Sequence, residues 1–125
     1  ATARLSNDKN RQGLDPTEYY WSVVVHEVVH RLSFYVTREK TIPLVSYEYL
    51  GYAAHFDALS EKSREMLLKQ YKPYKRSVMP DDFLYFMDPV AFAAVSYFHF
   101  QEAGDRCATI RRVLSGELQF ERYYE

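Results

Sequence analysis

Residues Pro16 to Val36 form an unbroken run in which two histidines, His26 and His30, stand four positions apart. Val23, Val24 and Val25 precede them and Leu32 follows. The run opens on a helix-start signature. Asp15 can cap, Pro16 suits the first helical position, and Glu18 completes a capping-box pattern. Valine is a mediocre helix former, so Val23-Val24-Val25 alone would suit a buried strand. The length of the run and its cap instead predict one long helix, from about Pro16 to about Val36, buried and held by tertiary contacts. On a helix, residues four apart lie one above the other on one face. His26 and His30 are thus set to grip one metal ion, with Glu27 beside them to handle a proton.

Composition narrows what surrounds that helix. The chain has 125 residues, enough for one domain with a modest core. Its sixteen basic and seventeen acidic side chains leave a net charge of -1, so no overall field recruits nucleic acid or an anionic membrane surface. The basic cluster Lys69, Lys72, Lys75 and Arg76, interleaved with Tyr71 and Tyr74, reads as a solvated linker face. No apolar run approaches the ~20 residues that a membrane span needs. Cys107 is the only cysteine, which excludes an internal disulfide and a cysteine-based zinc knuckle. It reads as an inert packing residue. Twelve tyrosines and eight phenylalanines are available to fill a core and to line semi-buried clefts.

Turn and cap signals divide the rest of the chain. Residues 1–14 are polar and read as an arm, leaving 15–125 as a single helical domain. Pro43 blocks helix continuation in a loop from Arg38 to Val45. Ser46 is expected to cap a second helix over Tyr47 to Leu59, and Ser60 a third over Glu61 to Gln70. Pro73 and Pro80 punctuate a connector, and Asp81 to Met87 is a short helical or extended piece. Asp88-Pro89 opens a helix reaching Phe100. Gly104-Asp105 opens a last one over Arg106 to Leu114, closed by Gly116. Glu117 to Glu125 reads as a tail. The expected fold class is mostly α, with little or no β-sheet.

His26-Glu27-Val28-Val29-His30 reads H-E-x-x-H, the zinc-hydrolase arrangement of two ligands and a general base. A catalytic zinc usually takes a third protein ligand and leaves a position for water. In one subclass the motif continues to a glycine and a third histidine; those positions here are Ser33 and Val36, which excludes it. The other common source is a glutamate on the following helix. Glu48, Tyr52, His55 and Leu59 fall on one stripe of the second predicted helix, and Gly51 beside it lets the two helices approach closely. Glu48 is the expected third ligand, with Glu39 and Asp57 as nearby alternatives. A donor for a developing oxyanion is also required. Tyr47, Tyr52, His55, Tyr97 and His99 are candidates, and His55 is favoured because it lies on the Glu48 stripe.

The motif with Glu48 on the next helix resembles the gluzincin metallopeptidases, which include thermolysin and the M1-type aminopeptidases. The likeness spans Val23 to His55, about a quarter of the chain. The segments Asp88 to Phe100 and Arg111 to Gly116 are also similar to a little-characterised bacterial family of predicted zinc peptidases. The resemblance implies Zn²⁺ held by His26, His30 and Glu48, with Glu27 as general base, a small zincin-like domain, and peptide or protein substrates. Two departures stand out. Thermolysin-like enzymes carry an acidic residue four after the ligand glutamate, to orient a histidine ligand; that position is Tyr52 here. They also use an upstream sheet edge to bind peptide, whereas about fifteen residues precede the first predicted helix. A partner chain or a missing upstream segment would supply that edge. The chain begins Ala1-Thr2-Ala3, as a processed mature chain or a fragment would, and the bacterial resemblance points to a secreted or periplasmic setting. The competing expectations are a helical binding module with a structural or vestigial zinc site, and a metal-free interaction domain.

Overall fold

The computed structural model describes residues 14–120. Six α-helices follow one another: α1 (Pro16–Val36), α2 (Leu44–Asp57), α3 (Glu61–Leu68), α4 (Asp82–Met87), α5 (Pro89–Glu102) and α6 (Arg106–Ser115). A 3₁₀ helix (Lys69–Tyr74) follows α3, and no strand occurs among the described residues. The domain is all-α, as its cap signals predict. The arm expected over 1–14 and the end of the tail fall almost wholly outside the described residues.

Local chemistry explains most helix starts. The carboxylates of Asp15, Asp81, Asp88 and Asp105 each accept a backbone N–H of the turn they open, from Thr17, Leu84, Ala91 and Ala108 respectively. Ser60 does the same for α3 through Ser63 N–H. Gly116, at φ 85°, takes the left-handed conformation that closes α6. Two expected caps are corrected. Glu18 does not fold back into a capping box; its carboxylate instead accepts the Ser60 backbone N–H and the Ser63 hydroxyl at the start of α3. Ser46 is not a cap either. Pro43 is the last extended residue before α2, and the helix begins three residues earlier than expected, so Ser46 lies inside it with its hydroxyl buried.

Helices α2 and α5 form the centre. Eleven of the fourteen α2 residues are buried, and α5 is buried along nearly its whole length. A helix that is apolar all round must be covered all round. Tyr49, Tyr52 and Phe56 of α2 meet Phe92, Ala93 and Tyr97 of α5, with Leu67, Leu68 and Val113 completing the cluster. Burial of each large apolar side chain contributes about 1.5–3 kcal/mol. The tail joins this core: Phe120 stacks on Tyr49 with ring centroids 4.2 Å apart, and its carbonyl accepts Asp82 N–H at 3.1 Å.

Helix α1 lies along α2 and is not buried all round, contrary to expectation. Its fully buried residues are Tyr19, Ser22, His26 and Ser33. Tyr20, Trp21, Leu32, Tyr35 and Val36 are each about 60% exposed. The described elements cover α1 from one side only, and that side is the polar one. Cys107 is exposed at the start of α6 rather than packed. The basic connector is neutralised locally, with Lys72 on Glu65 and both Lys75 and Arg76 on Glu102.

Candidate metal centre

The buried polar side of α1 faces Glu48 and Gly51 of α2. His26 is fully buried, Glu48 is 4% exposed, and the His30 side chain is 14% exposed. Glu48 Oε1 lies 2.6 Å from His30 Nε2 and 3.6 Å from His26 Nε2. His26, Glu27 and His30 offer ligand atoms that all lie within 4.8 Å of one another. Glu27 sits at the exposed rim of the group, next to the two histidines and off their face.

Gly51 allows this convergence. A Cβ there would stand 2.7 Å from His30 Nε2 and 2.8 Å from His26 Nε2, closer than real side-chain atoms come. Only a residue without a side chain lets α2 pass beneath both rings.

The donors suit a zinc ion. Ligand atoms about 2.0–2.1 Å from a tetrahedral zinc stand about 3.3 Å from one another. The 3.6 Å separation of His26 Nε2 and Glu48 Oε1 is close to that edge, and the 2.6 Å contact needs only a modest opening. Both Nε2 atoms are buried with no hydrogen-bond partner, the Glu48 oxygen lying close to His30 but off the direction of N–H donation. Buried ring nitrogens without a partner are costly unless something compensates. Burial pushes the Glu48 carboxyl up, but the close approach of the His26 and His30 imidazoles outweighs it and brings the group down to about 2. Glu48 is therefore an anion at neutral pH, as a ligand carboxylate must be.

The other candidates separate. Tyr52 and His55 lie against His26, with ring centroids 4.5 and 5.6 Å away. His55 is 1% exposed, and its Nε2 lies 3.1 Å from the Ser22 hydroxyl. Burial, then the nearby His26, push its imidazole down to about 3, so it is neutral at physiological pH. It is therefore a buried neighbour of His26 rather than a group facing the open side of the candidate site. Tyr47 bonds Thr37 at the end of α1, Tyr97 accepts from Gln101, and His99 pairs with Tyr49. None of these three lies against His26. Of the alternative third ligands, Asp57 pairs with Arg106 at 2.7 Å and Glu39 is exposed in the turn after α1.

Sequence reasoning missed Tyr85. It sits half-buried on the short α4, and burial, then the nearby Glu48 carboxylate, push its phenol up to about 12. A neutral phenol thus stands beside the Glu48 carboxylate. The sequence left Asp81 to Met87 as helical or extended, and no local pattern says that it folds onto Glu48. Ser22 was missed for the same reason.

Residues 1–123 match the family model of a family of unknown function (DUF6639), and the chain belongs to that family. No curated protein and no solved structure matches it.

Proposed function

We propose that this member of DUF6639 is a zinc-dependent metallopeptidase of gluzincin type, hydrolysing peptide bonds at a site formed by α1 and α2. The observation that carries the reading is the convergence of His26 Nε2, His30 Nε2 and Glu48 Oε1 over Gly51, with Glu27 at the open rim.

His26, His30 and Glu48 would hold the ion, two imidazoles and one carboxylate being a donor set that suits zinc. Zinc in such a site supplies Lewis acidity, acidifying water and polarising a carbonyl. Glu27 is adjacent to both histidines and open to solvent, so it is placed to take a proton from water and hand it to the leaving amine. Tyr85 stands beside Glu48, where its neutral phenol can orient the carboxylate. Gly51 keeps the floor of the site clear.

The test combines metal content with turnover. The purified chain should take up one equivalent of zinc, and His26→Ala should abolish uptake. Glu27→Gln should retain zinc and lose hydrolysis of a generic peptide pool by roughly 100-fold or more, the scale of general-base catalysis. Zinc bound by the wild type and by Glu27→Gln but lost in His26→Ala, with no hydrolysis by the wild type, would leave a structural metal site and reject the peptidase reading; zinc retained in His26→Ala would reject the ligand assignment.

A further inference from the structure

Helix α1 carries a second stripe besides the one that faces α2. Trp21, Val25, Val28, Leu32 and Tyr35 follow one another at gaps of four, three, four and three residues, the spacing of a coiled-coil seam. At ~100° per residue the stripe lies nearly opposite the buried Ser22, His26 and Ser33. The described elements leave it open. Trp21, Val28, Leu32 and Tyr35 are 58, 48, 62 and 60% exposed, and Val25 is half-buried.

Area, shape and charge decide what fits it. With Val24 and Val36 at its edges, the stripe exposes on the order of 600 Å² of mostly apolar surface, the upper end for a monomer and close to the about 800 Å² that each partner buries in a standard interface. A free helix of this length pairs poorly, but α1 is already held as a helix by α2, so association orders no new backbone. The stripe also complements itself when reversed. Setting Trp21 against Leu32 of a second, antiparallel α1 sets Val25 against Val28, and the same two layers recur beyond the twofold axis. Valine layers then meet at the centre and bulkier layers at the ends. Asp15 and Glu18 stand at the start of α1, and Arg31 and Arg38 towards and beyond its end. An antiparallel pair brings acidic starts to basic ends and opposes the two helix dipoles, whereas a parallel pair sets like charge on like. Residues 1–13 hold one large apolar side chain, Leu5, too few for a matching row.

We propose that this stripe is a dimerisation surface, through which two copies of the chain pair by antiparallel α1 helices in the layers Trp21–Leu32 and Val25–Val28. The pairing goes beyond the metal-centre reading and does not depend on it. His26, Glu27 and His30 lie off the stripe, so the rim of the candidate site stays open and each copy carries its own.

Sedimentation equilibrium of the chelator-treated chain tests the surface apart from zinc and turnover. The wild type should be a dimer at micromolar concentration. Leu32→Glu and Val28→Glu each set a carboxylate among apolar side chains in both copies, and should weaken association at least about 100-fold. Both side chains are exposed in the single chain, so helix content by circular dichroism should not change. Met79→Glu, which replaces an equally exposed apolar residue outside α1, should remain a dimer. Cross-linking reads the register. In a Cys107→Ser background, Trp21→Cys and Leu32→Cys chains treated with diamide should join to each other when mixed, and neither should join to itself. A wild type that stays monomeric, a dimer that survives Leu32→Glu and Val28→Glu, or Trp21→Cys chains that join to themselves would overturn the antiparallel pair. Failure to take up zinc would overturn the metal centre and leave the dimer standing.

Discussion

Gly51 of α2 faces His30 of α1 so closely that no side chain fits between them; a Cβ on Gly51 would meet His30 Nε2 at 2.7 Å. Helix contact and ligand convergence are therefore one structural event. Gly51→Ala should force α1 and α2 apart, costing about 1–3 kcal/mol in the manner of an overpacked core. It should also weaken zinc binding at least about 10-fold, by separating both rings from Glu48. Urea unfolding and chelator competition measure the two effects, and a variant that keeps wild-type affinity would show that the rings do not converge there.

Tyr85 stands beside Glu48 from a different helix, α4, and burial, then that carboxylate, raise its phenol. A hydrogen bond to a charged, buried acceptor is worth about 1.5–3 kcal/mol, and this phenol is the donor placed to give one. Tyr85→Phe should lower zinc affinity about 10-fold while helix content by circular dichroism stays unchanged. An unaltered affinity would mean that the carboxylate is held by the histidines alone.

His55 and His99 are both held below the ordinary histidine range, chiefly by burial, His55 to about 3. In the unfolded chain both take up a proton near pH 6.5, whereas the folded state resists it. The unfolded state thus binds more protons below that point, and stability must fall as pH drops. Loss should begin near pH 6.5 and, for His55, continue towards pH 3, at up to about 1.4 kcal/mol per pH unit, with His99 adding in the same direction. Glu48 adds to this at lower pH, since its depressed carboxyl stabilises the fold above its ordinary value and ceases to as pH falls through about 2. Urea midpoints of the chelator-treated protein from pH 8 to pH 4 provide the check; a flat profile across pH 6.5 to 5 would contradict burial of His55 in its neutral form.

Phe120 is 4% exposed and closes the core against Tyr49 and His99, although it lies beyond the last helix. Phe120→Ala should cost about 3–5 kcal/mol, as for other buried aromatics. A loss under about 1 kcal/mol in urea unfolding would show that the tail is not part of the cooperative unit.

Much of this architecture is legible locally. Asp15, Ser60, Asp88 and Asp105 announce helix starts because each cap bond spans two or three residues. The pairing of His26 with His30 follows from helical pitch, and the Glu48–Tyr52–His55 stripe from the same periodicity on the next helix. Ser46 misled because a serine at the right distance from an apolar run looks the same whether it caps or lies one turn inside; Pro43 decided the matter through its extended backbone. Glu18 misled because its capping-box partner competes with Ser60, which sits far along the chain and is brought near only when α1 and α3 have packed.

The sequence by itself determined a helical chain with two imidazoles on one face and a carboxylate on the next helix, because these depend on 3.6 residues per turn and on contacts within a few residues. Only tertiary packing places Tyr85 beside Glu48 and Ser22 beside His55, keeps Tyr97 and His99 away from His26, and seals His55 behind His26. Those outcomes depend on which helix faces meet, and contacts between residues distant in the chain leave no periodic trace in the order of the amino acids.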